Sequence, residues 1–247
     1  MSSEPSSTCR RMFHVTCYRD RSALVRGVAE RLKTEFVRQS EHPFSVLLSG
    51  GSTPFPAYNQ VAKDPVRPSP NLYVAFTDER HVPPNSEASN VHNSQPLIDA
   101  LRLTPDHVIY PRTELELEAC TDDYEQQWKV FFEKGGTIPL ALVGLGSDGH
   151  TCSLFDDNDL DRGKDRLVIS VQRPDGLAGI SVTPTLLRAV DEILFLVSGS
   201  DKRDVLHHLV HDPTSVTARK AIEGHSRVYI WTEPEAWPTS SAAGRSE

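Results

Sequence analysis

No apolar run among the 247 residues approaches the length needed to cross a bilayer, so no membrane-spanning helix is expected. Cysteine is scarce: Cys9, Cys17, Cys120 and Cys152 form no CxxC pair and no ladder of spacings. That pattern suits unpaired thiols in a reducing compartment better than a secreted disulfide framework. Positive charge is in deficit, with 26 Lys and Arg against 34 Asp and Glu for a net charge of −8. A nucleic-acid backbone wants a basic face, so no nucleic-acid partner is expected. A few locally convergent donors still suffice to hold a small phosphate. The first eleven residues, Met1–Arg11, lack the apolar stretch of a secretory signal, and Arg245-Ser246-Glu247 does not match the peroxisomal tripeptide. A cytoplasmic location is therefore expected, with an organelle left open.

What is present fits a globular α/β protein. Hydrophobic residues make up 38% and charged residues 24%, and the length is sufficient for a core without metal or disulfide staples. Polar, small residues dominate 1–11 and 238–247, which are expected to be loose, leaving one domain over 12–237. Within it, strand-like runs are Phe13–Cys17, Phe44–Leu48, Leu72–Phe76, His107–Tyr110, Leu140–Val143, Leu167–Val171, Ile193–Val197 and Val228–Trp231. Several are unbroken apolar runs, as expected of strands covered on both faces. Helix-like segments intervene at Ser22–Arg38, Pro54–Ala62, Asn90–Leu101, Ala119–Lys134, Pro184–Ala189 and Asp201–Val210. In the first, Leu24, Val28, Leu32 and Phe36 form one apolar stripe. This alternation predicts a doubly wound, mainly parallel, Rossmann-like sheet with helices on both faces. Ligands of such sheets sit beyond the carboxyl ends of the strands, which directs attention to the turns there.

Three of those turns are rich in functional residue types. Ser49-Gly50-Gly51-Ser52-Thr53-Pro54 follows a strand. Its glycines admit close backbone approach, Ser52 and Thr53 offer hydroxyls, and Pro54 suits the first position of a helix whose positive end favours an anion. A plain strand-to-helix turn is the bland alternative, and no Gly-Lys-Ser/Thr marks a P-loop. Thr77-Asp78-Glu79-Arg80-His81-Val82-Pro83 crowds acid, base and imidazole at a second strand end, with Ser89-Asn90 following. A solvated charged turn is the competing reading, and Asn90 could be a helix N-cap. Gly144-Leu145-Gly146-Ser147-Asp148-Gly149-His150-Thr151 contains GxGxxG, but the polar stretch from Asp156 leaves no room for the long helix of a dinucleotide fingerprint. It reads instead as a tight turn presenting His150, with Asp148 near enough to orient it, for proton transfer near neutral pH. A weaker fourth turn, Ser198-Gly199-Ser200-Asp201-Lys202, places Lys202 where it could meet a phosphate.

Other patterns fail on inspection. Asp157-x-Asp159-x-Asp161 begins like a calcium loop, but Arg162 stands where the glycine belongs and Val168 where the glutamate belongs. His207, His208 and His211 lack an HExxH glutamate and read as a solvated helix face. Trp128, Phe131 and Phe132 read as helix core.

Taken together, the motifs resemble the 6-phosphogluconolactonase family. The resemblance is carried by Leu48–Pro54, Thr77–Pro83 with Ser89-Asn90, Val143–Phe155, and Ile180–Pro184 with Leu194–Lys202, in the family's order. It implies hydrolysis of 6-phospho-glucono-1,5-lactone to 6-phosphogluconate without cofactor or metal, and a small-molecule partner only, in a monomer or weak oligomer. It implies His150 as general base, Arg80 near the reacting centre, Asp78 orienting Arg80 or a sugar hydroxyl, and phosphate on Gly50, Gly51, Ser52, Thr53 and Lys202. The related deaminases carry an acid five positions after the histidine, where Phe155 stands here. An arginine that the family places just before the Ile/Val-Thr segment is replaced in the Gly179-Ile180 neighbourhood, which leaves Arg173 as the candidate for its charge. The rival readings are a deaminase or isomerase on the same scaffold and a non-catalytic sugar-phosphate sensor.

Overall fold

The computed structural model describes residues 13–212 and 214–237. The segments expected to be loose, 1–11 and 238–247, lie outside these residues, as does Cys9. The chain alternates strand and helix through β1 (Phe13–Cys17), α1 (Arg21–Phe36), β2 (Phe44–Leu48), α2 (Pro54–Lys63), β3 (Leu72–Phe76), β4 (Asp78–Arg80), α3 (Asn90–Ala100), β5 (Val108–Ile109) and α4 (Leu117–Glu133). It continues through β6 (Thr137–Gly144), α5 (Asp157–Arg162), β7 (Val168–Gln172), β8 (Ala178–Val182), α6 (Pro184–Leu187), β9 (Val190–Leu196), α7 (Arg203–His211), α8 (Thr217–Ala221) and β10 (Val228–Thr232).

Seven strands form one parallel sheet in the order β1-β10-β9-β6-β2-β3-β5. The apolar runs are unbroken because alternate residues serve two cores. Phe44, Val46, Leu48, Leu140 and Leu142 meet α1, α2 and α3 on one face, through Leu24, Tyr58 and Leu97 among others. Leu47, Ala141, Val143, Ile193 and Phe195 meet α4, α7 and α8 on the other, through Trp128, Leu206 and Ala218. The α1 stripe Leu24, Val28, Leu32 and Phe36 is fully buried. Trp128 is buried too, with Phe132 stacked on it and Phe131 edge-on to it, as the helix-core reading requires.

Two expectations need correction. The run expected as strand Leu167–Val171 does not join the parallel sheet. As β7 it pairs antiparallel with β8, which pairs antiparallel with β4, in a separate three-stranded sheet. The reason is local: only residues 173–177 separate β7 from β8, far too few for a parallel crossover but enough for a hairpin. Asn90 is not the cap of α3. Ser89 is, its hydroxyl accepting from the His92 N–H at 3.0 Å, and Asn90 is the first helical residue. The Asp157–Asp161 stretch, rejected as a calcium loop, forms α5, with Asp156 as N-cap and acids in its positive first turn.

Candidate active site

Neighbouring strands β2 and β6 send the chain in opposite directions, to β3 and to β9. Such a switch point opens a crevice at the strands' carboxyl ends. A cleft of about 240 Å³ lies there. It is lined by Gly50, Gly51, Ser52, Thr53, Asp78, Arg80, His150, Arg173 and Lys202, which brings the four turns into one site. Asp148 does not line it but holds His150.

The loop after β2 runs into α2 with Pro54 at its start, and Thr53, at the cap position, makes no side-chain capping bond. Its hydroxyl is therefore not spent on the helix, and the positive end of α2 is presented at the cleft. Arg21, from the first turn of α1, braces the loop by donating to the Ser52 carbonyl at 2.8 Å. On the opposite wall Lys202 ends a 3-10 turn, Ser200–Lys202, ahead of α7. That turn is anchored by buried Glu233, which accepts from Ser198 Oγ at 2.6 Å and from the Gly199 N–H at 3.0 Å.

The β3–β4 passage supplies Asp78 and Arg80. Arg80 Nη1 donates to the Ala88 carbonyl at 2.8 Å and to Asn90 Oδ1 at 3.1 Å, while its buried Nε has no hydrogen-bond partner among the described residues. Asn90 in turn donates from Nδ2 to the Asp78 carbonyl at 2.8 Å. Glu79 and His81, from the same turn, face elsewhere. The Glu79 carboxylate accepts from the N–H groups of Arg80, Asn90 and Val91 and from Ser89 Oγ, tying β4 to the start of α3. Burial pushes its pKa up despite those four donors. His81 bonds to the Leu115 carbonyl.

The turn after β6 presents His150 as expected. Nδ1 of His150 lies 2.5 Å from Asp148 Oδ1. Burial alone would push the Asp148 carboxyl up, but the hydrogen bonds and charge of His150 outweigh it and hold the pKa below its ordinary value. With Asp148 accepting from Nδ1–H, Nε2 is left as the basic nitrogen. Gly146 makes this fit possible, because a Cβ there would stand 2.1 Å from His150 Nδ1. The ring of Phe155 packs on the other side of the imidazole, centroids 4.5 Å apart.

Arg173 reaches the cleft from the β7–β8 hairpin, over the Phe155 ring at 5.4 Å and bonded to Asp175 at 3.1 Å. A Cβ on Gly179 would sit 3.1 Å from Arg173 Cδ, so the arginine side chain crosses the space a side chain at 179 would take. That places Arg173 beside the very position where the expected arginine is missing. Sequence reasoning passed over Ser153, which bonds to both Asp78 and Arg173, and Glu233. Ser153 lies within the Val143–Phe155 motif but its partners are distant in sequence, and Glu233, a carboxylate after a last strand, carries no local signature.

Known proteins resemble the chain in sequence and in fold. A sequence model of the family described as glucosamine-6-phosphate isomerases/6-phosphogluconolactonase matches residues 19–231. A 6-phosphogluconolactonase of Synechocystis is 32% identical, covering 71% of this chain and 76% of its own length. One of Thermotoga maritima is 28% identical, with 74% and 81% covered. The crystal structure of a Thermotoga maritima 6-phosphogluconolactonase superposes with a TM-score of 0.76 at 26% identity, covering 90% of this chain and 99% of that one. A monomeric glucosamine-6-phosphate deaminase shares the fold, with a TM-score of 0.71 at 18% identity over 90% of this chain and 98% of its own.

Proposed function

The chain belongs to the glucosamine-6-phosphate isomerase/6-phosphogluconolactonase family, and from that premise we propose that it hydrolyses 6-phospho-D-glucono-1,5-lactone to 6-phospho-D-gluconate, in the oxidative branch of the pentose phosphate pathway. One observation carries the reading: the Gly50–Thr53 loop and His150 open onto one cleft at the switch point of the sheet. The apolar Phe155 ring against the imidazole supports a lactonase over a deaminase, for which the family resemblance implies an acid at that position.

In the proposed mechanism the substrate phosphate docks on the loop at the start of α2 and on Lys202, which holds the lactone carbonyl near His150. Neutral His150, its Nδ1–H bound to Asp148, removes a proton from water through Nε2, and the hydroxide adds to the carbonyl carbon. Arg80, which lines the cleft, or backbone N–H groups would stabilise the oxyanion, an interaction of about 3 kcal/mol when a single preorganised donor is involved. Collapse of the tetrahedral intermediate breaks the bond to the ring oxygen, which takes the proton back from the imidazolium. Ring opening leaves a free hydroxyl and a carboxylic acid, which releases its proton to solvent and becomes the carboxylate. The scheme assigns no step to a metal or cofactor. The three described thiols, Cys17, Cys120 and Cys152, are free, which is consistent with the cytoplasmic setting proposed alongside. No described helix is long and apolar enough to cross a membrane.

The test is a timed assay on freshly generated lactone, with and without a chelator, beside an assay of ammonia release from glucosamine-6-phosphate. Turnover above spontaneous hydrolysis, unchanged by chelator, is expected, with no ammonia released. Ammonia release without lactone turnover would establish the deaminase instead, and product binding without either would establish a sensor.

A further inference from the structure

Ser153 is fully buried yet touches two residues of the cleft. Its Oγ donates to Asp78 Oδ2 at 2.8 Å and accepts from Arg173 Nη1 at 2.8 Å. Its backbone N–H donates to Ser181 Oγ at 3.1 Å, which fixes the main chain at that point. A hydroxyl has one proton and two lone pairs, and a guanidinium can only donate. Arg173 therefore occupies the accepting side of Ser153 and commits the hydroxyl proton to Asp78. The link runs in one direction, from arginine through serine to carboxylate, and bonds in such a chain polarise one another.

Asp78 needs that link. Its residue is buried, and among the described residues its other oxygen accepts only from the hydroxyl of Thr77, at 2.8 Å. Around it stand Tyr58 from α2, Tyr124 from α4 and Cys152 after β6, each with a pKa raised by burial and so neutral at neutral pH. His150 lines the same cleft. Arg80, on the same strand, spends Nη1 on Ala88 and Asn90, and the Glu79 carboxylate is turned to the start of α3. Among the described residues, Arg173 acting through Ser153 is the cation joined by hydrogen bonds to the Asp78 carboxylate.

We propose that Ser153 is a positioning residue that couples Arg173 to Asp78, orienting the Asp78 carboxylate and keeping its remaining lone pairs available to a hydroxyl of the substrate. What Asp78 recognises rests on the sugar-phosphate reading above; the Arg173–Ser153–Asp78 link does not. The hairpin arginine is then a device for orienting a buried carboxylate as well as a lining group. Removing either end of the link has the same consequence for Asp78.

The experiment is a carboxyl titration by carbon-13 NMR on aspartate-labelled protein, in the wild type, Ser153→Ala, Arg173→Gln and the double variant. The Asp78 midpoint is expected to rise by about one pH unit in each single variant, the scale of an arginine's influence on a carboxylate, and no further in the double. In parallel, kcat/KM on the lactone falls in both single variants, and the double loses no more than the worse of them. An unmoved midpoint in Ser153→Ala, or shifts that add in the double, overturns the link. A wild type that shows coupled titrations without lactone turnover loses the proposed activity and keeps the link. Turnover with uncoupled titrations does the reverse.

Discussion

Gly50 comes so near Asn90 that a methyl group on its α-carbon would stand 1.9 Å from the Asn90 amide oxygen. That oxygen is the one that receives Arg80 Nη1, and the same side chain holds the Asp78 carbonyl. The anion loop and the Arg80–Asp78 wall are therefore fitted to each other through one glycine. Gly50→Ala is expected to push Asn90 off Arg80 and lower kcat/KM by about 10²-fold, the penalty for an ångström-scale misplacement of positioning groups. Steady-state kinetics, with a circular-dichroism melt to show that the fold survives, checks it.

His150→Asn is expected to lower kcat by about 10²–10⁴-fold, the range for losing a general base. Asp148→Asn, which leaves the imidazole but not its orienting acceptor, gives a smaller loss. Calorimetric binding of 6-phosphogluconate should survive in both. Turnover by the His150 variant at the wild-type rate would refute the base assignment.

Asp148 also makes stability depend on pH in a defined direction. Its folded pKa lies below the ordinary 3.8, so the unfolded state binds the proton more readily. The stability it contributes is fully present above pH 3.8 and is lost as pH falls through the lower folded value. The difference in unfolding free energy between wild type and Asp148→Asn should accordingly shrink as pH falls below 3.8, by urea melts at a series of pH values.

Lys202→Ala removes a cationic donor from the wall opposite the glycine loop. KM is expected to rise about 10–100-fold, the scale of a charge-assisted hydrogen bond, with kcat little changed. Glu233→Ala, which frees the Ser198-Gly199 turn that carries Lys202, should shift KM in the same direction but less.

Cys152 lines the cleft, but burial, and next the Asp78 charge, push its thiol pKa far up. It is expected to resist iodoacetamide at pH 7, whereas exposed Cys17 reacts faster. Peptide mapping after timed labelling distinguishes the two.

The sequence by itself determined the layered architecture, because hydrophobic period is a local property. Runs such as Val46–Leu48 and Leu140–Val143 had to be covered on both sides, and the stripe on α1 had to face the sheet. The glycine turns were legible for the same reason, since a strand end followed by Gly-Gly-Ser-Thr-Pro or Asp-Gly-His announces itself within a few residues. The β7–β8 hairpin had a local sign too, Pro174-Asp175-Gly176 between two apolar runs, but the surrounding βα rhythm masked it. Only the tertiary structure decided what spans the sequence. Ser153 meets Asp78 from 75 residues away, Glu233 meets Ser198 from 35, and Arg173 crosses bare Gly179 on a paired strand. Such contacts depend on how strands are ordered and registered, and strand order is set by the packing of the whole sheet, which no short stretch of residues encodes.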